Sequence, residues 1–131
     1  RSQAFQQIST ILNQLTQDLN SSFVGLMDAD HNVISAVGKL VNADLITLRR
    51  VLSEDYGTCR LSEVLNQDQS FTHTYFEGAH SSVFITDFGE QYPVSLVIVT
   101  STAVKPGIVW LSSKRVAASI DTLINTSANR F

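Results

Sequence analysis

The chain has 131 residues, 44% of them hydrophobic and 16% charged, with a formal net charge of −3. That length suits one domain with a genuine core, and a charge content below the usual quarter favours an extensive protein interface. A pI near 5.4, with Arg49-Arg50 and Lys114-Arg115 as isolated basic pairs, argues against nucleic acid as the main partner.

No apolar run reaches the length of about eighteen residues that a membrane span needs. Cys59 is the only cysteine, so no internal disulfide forms, and a lone thiol suits a reducing, cytoplasmic setting. Its expected role is a small packed side chain and not a nucleophile.

From Gln3 to Asn20, Ile8, Ile11, Leu12, Leu15 and Leu19 recur at helical spacing, with glutamines and threonines between them. This predicts a first helix that stops at Asn20-Ser21-Ser22. Phe23 to Met27 is a short apolar strand, and Asp28-Ala29-Asp30-His31-Asn32 carries turn chemistry. Val33 to Val37 returns as a second strand, closed by Gly38. Asn42 or Asp44 caps a second helix running to about Tyr56, with Leu45, Leu48 and Leu52 on one stripe and Gly57 as its stop. Ile46 and Val51 lie off that stripe, so this helix has more apolar surface than one buried face needs. Leu61 to Leu65 is either another helical turn or an irregular connection.

Ser70 to Glu77 alternates as a third strand, and its threonines suit a sheet edge. Ser81 to Thr100 contains two strand-length apolar runs joined by Gly89-Glu90-Gln91-Tyr92-Pro93. β-branched and aromatic residues crowd both runs, and no charge interrupts Val94 to Thr100. This predicts a hairpin in the middle of a sheet covered on both faces. A loop from Ser101 to Gly107 leads to a third helix, Ile108 to Thr126, with Val109, Val116, Ile120 and Leu123 on its buried stripe. Trp110 lies beside that stripe. The order α-β-β-α-β-β-β-α predicts an α+β domain over residues 1–131.

Catalytic and ligand signatures are missing from the sequence. Asp28-Ala29-Asp30-His31-Asn32 imitates the start of a calcium loop, but Val33 and Lys39 stand where Gly and Glu are required. His31, His73 and His80 have no metal-ligand spacing. Gly38-Lys39 and Lys105-Pro106-Gly107 lack the glycine that a phosphate loop needs. No G-x-S-x-G elbow occurs. Asp87 and Glu90 flank a turn, where carboxylates are ordinarily solvated. No catalytic residue, cofactor or metal is expected.

The chain resembles the Roadblock/dynein-light-chain family. The resemblance is carried by VGLMDADHNVISAVG at Val24 to Gly38, by the helix from about Ala43, and by the closing hairpin, loop and helix from Val83 to Leu123. The stretch from Tyr56 to Ser70 departs from it, being longer and more polar than a compact version needs. The resemblance implies a five-stranded antiparallel sheet with the first and third helices on one face and the second on the other. It also implies a non-enzymatic module that pairs through the second helix and third strand, with itself or a related chain. Such domains act on small Ras-like GTPases as activators or scaffolds, or dock motor complexes, and bind no nucleotide themselves.

Leu45, Leu48, Arg49 and Leu52, with Phe71 and Thr72 on the third strand, are the expected dimer or partner contacts. The surplus apolar surface of the second helix and the unpaired edge of the third strand point to the same place. The alternative is a ligand-binding sensor of the PAS, GAF or profilin-like kind, whose cavity would be lined by residues such as Phe76, Phe84 and Trp110.

Overall fold

The computed structural model describes residues 2–30, 32–39 and 73–128. In chain order these form α1 (Ser2–Leu19), β1 (Phe23–Asp28), β2 (Val33–Gly38), β3 (His73–Glu77), β4 (Ser81–Phe88), β5 (Val94–Ser101) and α2 (Pro106–Ala128). The predicted second helix falls on residues outside the described ones, as do Cys59 and His31. The five strands make one antiparallel sheet in the order β2-β1-β5-β4-β3. The predicted central hairpin therefore does occupy the middle, and the third strand is an edge.

The spacing of apolar residues decides which face of α1 is buried. Ile8, Leu12, Leu15 and Leu19 are all buried, each one helical turn from the next. Asn20 then turns left-handed at φ 48°. Its N–H bonds to the Gln17 carbonyl at 3.2 Å, and that of Ser21 bonds to the Thr16 carbonyl at 3.1 Å. This paired closure is the Schellman end of a helix, with asparagine taking the place usually held by glycine. The chain then drops straight into β1, where Ser22 N–H bonds to the Val99 carbonyl at 3.0 Å.

In the first hairpin, Asp28 Oδ1 accepts from the backbone N–H groups of Asp30 and Asn32, both at 2.9 Å. That carboxylate does the turn's own hydrogen bonding. A register shift between Leu26 and Met27 marks a bulge there. At the far end of β2, Gly38 adopts φ +99°, and a Cβ placed on it would lie 2.1 Å from the Ser22 carbonyl oxygen. Only glycine fits this close approach.

Alternation along the strands divides the core into two layers. Val24, Leu26, Phe84, Val94, Leu96 and Ile98 pack with Ile8, Leu12, Leu15 and Leu19 of α1 and Val109, Val116 and Ile120 of α2. Both helices thus lie on one face of the sheet. On the other face Met27, Ile85 and Val97 form a second buried cluster that contains no residue of either helix. Seven consecutive residues of β5 are buried, which explains why Val94 to Thr100 tolerates no charge.

α2 begins at Pro106, two residues before its predicted start. Proline fits the first turn of a helix because no intrahelical partner exists there for its missing N–H. The predicted stripe of Val109, Val116 and Ile120 is buried as expected, and Leu123 packs on it partly buried. Ser113 joins the buried side, its hydroxyl satisfied by the Val109 carbonyl at 2.7 Å.

Candidate functional site

The sheet has two edges, and β3 forms one of them. On its inner side β3 pairs with β4 from His73↔Thr86 to Glu77↔Ser82. Among the described residues no strand pairs with its outer side. Such an edge presents unpaired backbone donors and acceptors to any incoming strand.

The aromatic residues of β3 are displayed on both faces of that edge. Strand alternation puts His73, Tyr75 and Glu77 on the helix-bearing face and Thr74 and Phe76 on the other. Tyr75 is 37% exposed and Phe76 is 40% exposed. An added strand would cover both rings at once.

On the helix-bearing face the edge is held by a chain of rings. Tyr75 lies 4.8 Å from Phe84, tilted by 44°; Phe84 meets Trp110 of α2 edge-on at 5.0 Å; Trp110 meets His73 edge-on at 5.0 Å. These separations fall in the favourable range for aromatic pairs. Polar contacts complete the fastening. The Tyr75 hydroxyl donates to Glu77 Oε1 at 2.8 Å and lies 3.4 Å from Ser82 Oγ, while His73 Nδ1 lies 3.3 Å from Thr86 Oγ1. The edge is therefore a braced surface and not a frayed one.

The same rings bear on the sensor alternative. Phe84 is 1% exposed and in contact with Trp110 and Tyr75, so these rings fill the core and do not surround a space. Phe76 lies on the opposite face and cannot join them in one cavity. Asp87 accepts a hydrogen bond from the Ser95 hydroxyl at 2.6 Å, across the hairpin. Among the described residues no group of His, Cys, Asp and Glu could hold a metal ion.

No family model matches the chain, and no curated protein matches it. Solved structures do. The chain is similar to Myxococcus xanthus MglB, with a TM-score of 0.79 at 24% identity, covering 93% of this chain and 90% of that one. It is similar to a Roadblock/LC7 domain from Streptomyces avermitilis, with a TM-score of 0.73 at 14% identity, covering 88% of this chain and 96% of that one. This is the Roadblock/LC7 fold. A structure described as MglB with tetrameric arrangement also matches, at TM-score 0.77 and 20% identity, covering 92% of this chain and 89% of that one.

Within the Roadblock frame, the predicted contacts Leu45, Leu48, Arg49, Leu52, Phe71 and Thr72 all lie outside the described residues. What the structure adds is the exposed run of β3 that begins at His73, the residue after Thr72 in the sequence. Sequence reasoning missed Tyr75 and Phe76 as candidate contacts. The signal was present, since an alternating strand with an aromatic residue on each face and threonines between belongs at an edge that gains a neighbour. Trp110, expected beside the buried stripe, is the brace between α2 and that edge. Among the described residues no helix is long and apolar enough to cross a membrane.

Proposed function

We propose that this chain is a non-catalytic Roadblock module, a single domain over residues 1–131, that self-associates through the β3 edge. In the cytoplasm it regulates or scaffolds a small Ras-like GTPase, or the complex that holds one. The observation that carries this reading is the braced β3 edge, on whose outer side no strand pairs among the described residues, with Tyr75 and Phe76 exposed on its two faces. A strand added there from a second copy or a related chain would continue the sheet and cover both rings. Leu45, Leu48, Arg49, Leu52, Phe71 and Thr72 are assigned to the same contact. Similarity to an MglB with tetrameric arrangement supports self-association, and the family resemblance supports the GTPase partner.

Two measurements test the reading. Light scattering at micromolar concentration should give a mass of at least two chains, and Phe76→Asp should lower it toward one. Pull-down with the full chain against the Ras-like GTPases of its own cell, each loaded with GDP or a non-hydrolysable GTP analogue, should recover one of them. Following GTP hydrolysis with and without the module then separates acceleration from tethering. A monomer that retains no GTPase in either nucleotide state overturns the proposal.

A further inference from the structure

The backbone of β3 is sorted by direction. Gly78 N–H bonds to the Ser81 carbonyl at 2.8 Å, and this pair continues the register of Glu77↔Ser82 and Phe76↔Val83. In an antiparallel ladder, residues whose N–H and C=O point at the neighbouring strand alternate with residues whose groups point away. Gly78, Phe76 and Thr74 therefore bond toward β4, and Glu77, Tyr75 and His73 present their backbone groups to the outer side. Among the described residues no strand takes them up.

A second copy meeting this edge antiparallel must match outward residues to outward residues. Its two-fold axis then passes through a residue and not between two. With the axis at Tyr75, every outward residue of His73–Glu77 finds a partner within the strand. Tyr75 faces the partner's Tyr75, and His73 faces the partner's Glu77, twice by symmetry. With the axis at Thr74, His73 would face a tyrosine and Glu77 would run past the end of β3. With the axis at Phe76, Glu77 would face the tyrosine and His73 would run past the end. Only the Tyr75 axis sets base against acid.

The side chains are prepared for that match. His73 Nδ1 lies 3.3 Å from Thr86 Oγ1, and the Tyr75 hydroxyl donates to Glu77 Oε1 at 2.8 Å. With the Thr86 hydroxyl donating, the imidazole proton sits on Nε2, and Glu77 Oε2 is left to accept it. Paired residues of this kind are about 5.5 Å apart at Cα, within reach of both side chains. On the other face Thr74 meets the partner's Phe76, so both exposed rings are covered.

The charges on the elements packed against β3 agree with this pairing. Asp87 of β4 lies on the opposite face, where it accepts from Ser95. On α2, Lys114 and Arg115 follow Trp110, the residue that touches His73, by about one turn. Asp121 lies about 16 Å along the helix from Trp110. The net charge of −3 repels a second copy only at long range, where physiological salt screens it beyond about 8 Å.

We propose that the occupant of the β3 edge is a second copy of this chain, joined antiparallel about a two-fold axis at Tyr75 and selected by the pair His73 with the partner's Glu77. The register rests on the self-association proposed for this edge, and adds which partner it takes and which residues choose it. A related chain lacking either His73 or Glu77 loses the match.

The test uses the full chain. His73→Glu and Glu77→His should each weaken self-association about tenfold by analytical ultracentrifugation, since two cross-strand pairs are lost in either. An equimolar mixture of the two variants should pair at close to the original strength, because each acid then meets a base. Recovery in the mixture also shows that both variants fold. In a Cys59→Ser background, Tyr75→Cys should cross-link to its own copy on mild oxidation faster than Thr74→Cys or Phe76→Cys. Chains that dimerise but cross-link fastest at Thr74→Cys or Phe76→Cys overturn the register alone, as does a mixture no tighter than its parents. Pairing with a related chain in preference to a second copy overturns the choice of partner. A wild-type chain that stays monomeric by light scattering overturns this register and the self-association beneath it together.

Discussion

Phe84→Ala tests whether the ring chain is what braces the β3 edge. Phe84 is 1% exposed, lies opposite Tyr75 and Ile98 on the neighbouring strands, and touches the Trp110 ring at 5.0 Å. Truncating a buried phenylalanine costs about 3–5 kcal/mol through lost transfer energy and the cavity left behind. Two ring contacts disappear with it, which places the expectation near 4 kcal/mol, a large part of a domain's stability. With a urea dependence of roughly 2 kcal/mol per molar, the unfolding midpoint should fall by about 2 M. The assay is urea titration followed by far-UV circular dichroism, at one fixed protein concentration because self-association adds to apparent stability. Amide exchange should show β3 losing protection before β1 and β5, and light scattering should show weaker self-association. A midpoint shift below about 0.5 M, or β3 amides as protected as before, would refute the reasoning. Either result would mean that the edge is held by its backbone pairing alone.

Phe76→Asp leaves folding nearly unchanged, within about 0.5 kcal/mol in the monomer, because the ring is 40% exposed. It should raise the concentration needed for self-association at least tenfold by analytical ultracentrifugation. Gly38→Ala should cost at least roughly 2 kcal/mol, because its backbone sits at φ +99° and the new Cβ would meet the Ser22 carbonyl; a neutral result by thermal melt would show that the β2 end relaxes freely. Thr100→Val should stabilise the fold by up to about 1 kcal/mol, since the Thr100 hydroxyl is buried and has no hydrogen-bond partner. A loss of stability in urea titration would reveal a bond that the hydroxyl makes.

Local pattern determined much of this protein. The periodicity of Ile8, Leu12, Leu15 and Leu19 requires a helix with one buried side, and Asn20 ends it because asparagine tolerates the left-handed angle. The uncharged run from Val94 to Thr100 requires a strand buried on both faces, and all seven residues are buried. These properties depend on neighbours within a few positions, so the sequence alone displays them.

Tertiary structure decided what the pattern could not. Strand order needs pairings across the chain, such as Phe23↔Val99, which no local period encodes. The start of α2 moved back to Pro106, because the geometry of the first turn admits a residue that sequence reading treats as a breaker. Tyr75, Phe84, Trp110 and His73 are separated in sequence by as much as 37 positions, from His73 to Trp110, and only packing makes them one brace. Exposure is likewise a property of the assembled surface. Leu111 and Val109 are both aliphatic residues of one helix, yet one is 72% exposed and the other fully buried, according to which side meets the sheet.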